Sequence, residues 1–213
     1  LNGSSDAGLA AARILGRDQH VMLSDANPDH LHRALDDLDS HGISAESVVA
    51  DVSDRRSIEI LMMTARTAGT IGTVVQPLGR SPRANSVGLL NVSRATLAVA
   101  SEGTTLIQAA SGQPKRRNIP AVSKRAMNLA ATDPESFMTW LGRVSALLPA
   151  RIGVDELCSQ FALWHHVGVE GQFNARGASL VTTFADRVQI SSGVGCATGG
   201  LIELLAGFAD TRT

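Results

Sequence analysis

The chain has 213 residues and a mass of 22.3 kDa, long enough for a well-buried core and short enough for one domain. Nineteen Lys and Arg against 20 Asp and Glu leave a net charge of −1, so no field of one sign favours nucleic acid or an anionic membrane as a partner. A hydrophobic content of 44% excludes a disordered chain, and the apolar runs are too short to span a bilayer. In chain order, Leu1–Gly3 reads as the end of a strand, and Gly8–Gly16 as a helix with Leu9, Ala12 and Leu15 on one face. His20–Ser24 is a short apolar strand. Asn27 caps the next helix, Pro28 opens it, Leu31, Leu35 and Leu38 face inward, and Gly42 ends it. Ser47–Ala50 is a third strand closed by Asp51, and Ser53 or Asp54 caps a helix running to Ala68. Thr73–Val75 is a fourth strand, broken by Pro77 and Gly79. A helix over 87–100 and a strand over 104–109 complete the first half.

Strand and helix alternate with no hairpin between them. That order predicts an α/β fold: one doubly wound, Rossmann-type parallel sheet with helices on both faces, in a single domain. Residues 1–112 form its expected dinucleotide-binding half and 113–213 its substrate and oligomerisation half. In the second half, 121–131, 134–148 and Val154–Gly168 read as helices, and Ser179–Phe184 and Gly200–Leu205 as strands. The interval 186–197 shows no clear helix.

Two features point to chemistry. Gly3, Ser5 and Gly8 in LNGSSDAG fit a glycine-rich turn opening a helix, whose free N–H groups attract a pyrophosphate. Asp6 and Ala7 lie in the same turn. Asp25 ends the next strand about 20 residues on, where a carboxylate accepts the ribose hydroxyls of an adenosine and repels a 2′-phosphate. The expected cofactor is therefore NAD rather than NADP. A turn role for Asp25, and a helix-capping role for Asp51, are the plainer alternatives. The two cysteines, Cys158 and Cys196, cannot make a disulfide framework, so a reducing, cytoplasmic setting is expected. His165 and His166 project about 100° apart on a helix and read as surface or groove-lining groups. No metal-ligand spacing is present, so no metal is expected. Lys115, Arg116 and Arg117 read as an exposed basic loop.

These segments resemble the short-chain dehydrogenase/reductase family. LNGSSDAGLAAARILG is similar to its first strand–turn–helix. LSDAN, with Asp25 and Ala26, is similar to its NAD-selecting segment, and VVADVSD, with Asp51 and Val52, to its adenine-contacting segment. VVQPLGRSP keeps Gly79 from the family's N-N-A-G strand end. NARGASLVTTF and TGGLIELLAG resemble its last strands. The resemblance implies hydride transfer between nicotinamide and a small alcohol or carbonyl compound, in a homodimer or tetramer. It also implies a Ser–Tyr–Lys set helped by an Asn, but the chain contains no tyrosine. Lys124 has Pro120 four residues before it. If the catalytic helix is VDELCSQFALWHH, the Tyr and Lys positions fall near Asp155 and Ser159. The Ser position falls at Ala109, Ala110 or Ser111, and the Asn position near Gly88, Asn85 or Asn91. Ser111 and Asp155 are the remaining catalytic candidates. The resemblance further implies that Leu157, Phe161, Trp164 and Phe173 face a subunit partner, the alternative being core. The segment between Ser179 and Leu201 is too short for the family's substrate loop, which implies either a natural shortening or mobile pieces left out of these 213 residues. The readings for function are an oxidoreductase with degenerate catalytic residues, a non-catalytic homologue that senses NAD or partners an active subunit, or a non-redox isomerase or cyclase carrying NAD.

Overall fold

A computed structural model describes residues 1–79, 82–110, 154–184 and 187–190, together with Ser136 and Thr139. Its elements run α1 (Asp6–Leu15), β1 (Val21–Asp25), α2 (Pro28–Ser40), β2 (Ala45–Val49), α3 (Arg55–Ala68), β3 (Thr73–Gln76), α4 (Pro82–Val99) and β4 (Thr105–Ala109). They continue with α5 (Val154–Asn174), β5 (Ser179–Phe184) and β6 (Arg187–Ile190). The alternation read from the sequence is present. β1 pairs with β2 in parallel, and β3, β4 and β5 pair in parallel in that order. β6 then pairs with β5 in antiparallel fashion, a strand the sequence reading did not foresee in 186–197.

Local signals set the helix ends. The Ser5 side chain caps α1 by accepting from the Gly8 N–H, and the Gly16 N–H closes its last turn on Ala12. Asn27 caps α2 through the N–H groups of Asp29 and His30, with Pro28 in the first turn. Of the two candidates for α3, Asp54 is the cap, accepting from Arg56. α4 starts five residues earlier than read, because Pro82 supplies a favourable first position. α5 reaches Asn174, six residues past Gly168, since that glycine and Gly171 are carried inside a helix anchored by buried Val169 and Phe173. The helices read over 121–131 and 134–148 and the strand over 200–205 lie outside the described residues, apart from helical Ser136 and Thr139.

Strand alternation divides the core into two layers. Val74, Leu106 and Leu180 face α3, α4 and α5, where they pack with Ile58, Leu61, Val92 and Phe173. Val75, Ile107 and Val181 face α1 and pack on Ala11. The neighbouring Ala12 turns toward Leu23, Leu31, Leu38 and Ile43. α1 therefore touches strands of both parallel groups, and α3 does so on the opposite face through Val48 and Val74. Phe161 and Phe173 are fully buried within this single chain. They belong to its own core, the second of the two roles open for that stripe.

Candidate functional site

The C-terminal ends of β1, β2 and β3 gather most of the residues singled out in the sequence. Gly3 donates its N–H to the Ser24 carbonyl at 2.7 Å, which places the turn beside the end of β1. Asn2 occupies the left-handed region at φ 50°, tolerable for asparagine, and turns the chain toward α1. A Cβ on Gly8 would stand 2.6 Å from the Asn2 carbonyl oxygen and 2.8 Å from that of Gly3. Only glycine lets the helix start so close to the turn.

The Asp25 carboxylate is fixed by two donors. One oxygen accepts from the Ser4 hydroxyl, and the other accepts the Asn27 N–H at 3.1 Å. The Asp25 carbonyl accepts the Ala50 N–H, which ties β1 to the loop after β2. In that loop Asp51 does not cap α3. Its carboxylate accepts the Ser53 N–H and hydroxyl in a local turn while remaining exposed. Val52 is held from below, its carbonyl accepting Asn91 Nδ2 at 2.9 Å.

Gly79 is anchored by Asn85, which accepts the Gly79 N–H at 2.7 Å and donates to its carbonyl at 2.9 Å. A Cβ at Gly79 would meet Asn2 Nδ2 at 3.0 Å, so the first turn and the segment after β3 are in contact. The structure thus brings Gly3, Ser5, Asp6, Ala7, Gly8, Asp25, Ala26, Asp51, Val52 and Gly79 to one edge of the parallel strands. Ser4, Asn2 and the backbone anchors Asn85 and Asn91 were not assigned to this edge from the sequence. Ser4 had a visible signal, since it lies inside the glycine turn; Asn85 acts locally, six residues from Gly79, whereas Asn91 reaches Val52 across 39 residues and had no local signal.

The catalytic candidates fare differently. Ser111, Lys115 and Lys124 lie outside the described residues. Asp155 falls on the first turn of α5. Ser159, one turn further on, is completely buried. Asn85, Gly88 and Asn91 all sit on α4, and a Cβ at Gly88 would stand 2.6 Å from Gln76 Nε2. There glycine serves close packing of α4 on β3.

His165 and His166 correct the expectation of surface groups: both are buried, at 3% and 0% exposure. Their 100° separation sends each to a different neighbour. His165 Nε2 lies 2.8 Å from the Ser93 hydroxyl, and His166 Nδ1 lies 2.9 Å from the Thr182 hydroxyl. Ser93 donates its single hydrogen to Gln108 Oε1. Gln108 Nε2 in turn donates to Gln76 Oε1 at 2.8 Å and to the Leu89 carbonyl at 3.0 Å. With the Ser93 hydrogen so used, His165 Nε2 must be the protonated nitrogen of a neutral ring. Burial, then the adjacent His166, pushes His165 down to about 4, with Leu89 acting the other way; burial pushes His166 down to about 4.

Among the described residues no group of three or more His, Cys, Asp or Glu side chains is placed to hold a metal ion, and no helix is long and apolar enough to cross a membrane. On the far side of α1, Asp37 pairs with Arg13 at 2.6 Å, and the hydrogen bond from that guanidinium holds its carboxyl below the usual range.

No protein-family model matches the chain. No curated protein matches it either. Solved structures do. A metagenomic short-chain oxidoreductase in complex with NADP superposes with a TM-score of 0.59 at 13% identity, over 99% of this chain and 86% of that one. A short-chain dehydrogenase from Rhodopseudomonas palustris gives a TM-score of 0.57 at 8% identity, over 98% and 87%. A short chain dehydrogenase from Mycobacterium smegmatis gives 0.52 at 17% identity, over 96% and 80%. At these identities the likeness concerns architecture: the chain has the single-domain, Rossmann-like α/β fold of short-chain dehydrogenases.

Proposed function

We propose that the edge formed by the Gly3–Gly8 turn, Asp25, Asp51, Val52 and Gly79 binds a nicotinamide dinucleotide, NAD rather than NADP. The observation that carries this reading is the Asp25 carboxylate, fixed at the end of β1 beside the start of α1. An ionised carboxylate offers about four acceptor sites, and Ser4 and Asn27 take two, so capacity for a ribose diol remains. The N-terminal turn of α1 favours an anion. A 2′-phosphate beside Asp25 would meet its negative charge, which argues against NADP even though the metagenomic neighbour binds it. The residues therefore fit the dinucleotide: Gly3–Gly8 would hold its pyrophosphate, Asp25 its adenosine ribose, and the Asp51–Val52 loop its adenine side. When bound, NAD supplies hydride acceptance and donation.

The reaction is read as oxidoreduction of a small alcohol or carbonyl compound on a degenerate catalytic set, with Ser111 and Asp155 as the catalytic candidates. A second reading, a non-catalytic homologue that senses NAD or partners an active subunit, is favoured by specific observations. The chain has no tyrosine, and Ser159, where the resemblance places the lysine, is sealed in the core. The deciding experiment measures protein-bound NADH fluorescence for the native chain and Asp25→Ala, then turnover with an alcohol and ketone panel. Binding lost in the variant supports the dinucleotide reading, and no binding by either protein sinks it. Binding without turnover selects the non-catalytic reading.

A further inference from the structure

The opening of α1 carries opposite electrical signs in one turn. Ser5 caps the helix, and its hydroxyl is used inside the turn: it accepts the Gly8 N–H at 3.1 Å and donates to the Asn2 carbonyl at 2.8 Å. The Leu9 N–H closes on the Ser5 carbonyl at 2.8 Å. Two of the first four N–H groups are thus engaged, and those of Asp6 and Ala7 point out along the helix axis. They are the donors that the turn offers to an anion.

The same turn holds a carboxylate. Asp6 is the first residue of α1, and it is exposed. The carboxylates of this edge differ in what they accept. Asp25 takes Ser4 and Asn27, and Asp51 takes the N–H and hydroxyl of Ser53. Among the described residues the Asp6 carboxylate accepts no hydrogen bond and joins no ion pair, and Arg13 of the same helix pairs instead with Asp37. A negative charge in the first turn stabilises α1 through the helix dipole. The same charge opposes any other negative charge brought to the N–H groups it stands beside. The backbone of this turn attracts an anion, and its side chain repels one.

We propose that Asp6 is a specificity-determining residue of this edge. Its carboxylate weakens adenosine-bearing ligands according to the negative charge they bring to the opening of α1, and it leaves uncharged adenosine untouched. This role rests on the dinucleotide reading of the edge. Within that reading Asp25 acts at the ribose 2′ position, and Asp6 acts separately at the pyrophosphate. Adenosine is held at the strand ends, by Asp25 and the Asp51–Val52 loop, and brings no charge to α1. NAD does, so the affinity of the turn for its pyrophosphate stays below what the free N–H groups alone would give.

The test is a charge series at one position. Adenosine and NADH are titrated calorimetrically into the native chain, Asp6→Asn and Asp6→Lys, at low and high salt. NADH should bind about five-fold more tightly to Asp6→Asn at low salt, and more tightly still to Asp6→Lys. The gain should shrink to under about two-fold near 0.5 M salt, because an exposed charge is screened there. Adenosine should bind all three proteins alike. The thermal midpoint should fall from native to Asn to Lys, opposite to the NADH affinity, since the dipole loses its carboxylate. Adenosine bound by all three with NADH affinity unchanged, or weakened in Asp6→Asn, would overturn the role of Asp6 while leaving the dinucleotide reading in place. A gain that persists undiminished at high salt would overturn it too, since shape and not charge would be the cause. Neither ligand bound by any of the three proteins would remove the dinucleotide reading and this role with it.

Discussion

Two groups of polar residues use hydrogen bonds in opposite ways. At the Asp25 edge the bonds are short-range in space and leave acceptors open: Asp25 takes Ser4 and Asn27, and Asp51 takes Ser53 in an exposed turn. Between the sheet and α4/α5, Gln76, Gln108, Ser93 and His165 form a chain closed to solvent, each member fully or nearly fully buried, although His165 Nδ1 has no hydrogen-bond partner. The first arrangement is suited to a ligand, because spare acceptors at a strand end wait for donors. The second locks β3, β4, α4 and α5 together and offers solvent nothing. A polar cluster is thus read by its access to solvent, not by its residue types.

The largest effect should come from breaking the closed chain. Gln108→Ala removes three hydrogen bonds from a fully buried position and strands Gln76, Ser93 and Leu89. It should destabilise the fold by about 4 kcal/mol in denaturant titration, whereas a loss under about 1 kcal/mol would show that water replaces the amide.

Next comes acid. His165 and His166 are pushed down to about 4 in the fold, below the ordinary value of 6.5 that applies once the chain unfolds. Between these values the unfolded chain binds more protons, so stability is full above about pH 6.5 and declines as pH falls toward 4. The decline should reach about 3 kcal/mol for the first ring to charge. Denaturation midpoints that stay flat over that range would contradict the buried, neutral rings.

The open edge should respond more gently, and in binding rather than stability. Asp25→Ala should weaken NADH by about 2 kcal/mol, near thirty-fold, in equilibrium titration, with the unfolding midpoint little changed. Ser4→Ala removes one of two donors to Asp25 and should cost about 1 kcal/mol of the same affinity. A larger loss of stability than of affinity in either variant would place this edge with the closed chain.

The contrast also explains what the sequence made legible. Caps, turns and the Gly3–Gly8 motif act within a few residues, so Asn27 and Pro28 announced α2 directly, while α1 begins at Asp6, two residues before the Gly8 start read from the sequence, because Ser5 caps it. Asp25 was found because its distance from the glycine turn is a fixed property of one strand–helix–strand unit. The Gln108 chain was not, since its partners stand 15 to 72 residues apart in sequence and meet only by packing. For the same reason His165 and His166 read as surface groups: one face of α5 meets α4 and another meets β5, and a helix hydrophobic on several sides hides which polar residues go inward. β6 escaped because its antiparallel pairing with β5 breaks the parallel pattern that organised the reading.

The central claim is that the Asp25 carboxylate makes this edge a site for NAD. Side-by-side calorimetric titration of the native chain with NADH and NADPH tests it most directly. The account predicts that NADH binds at least about ten-fold more tightly. Tighter binding of NADPH, or heat from neither nucleotide, would contradict it.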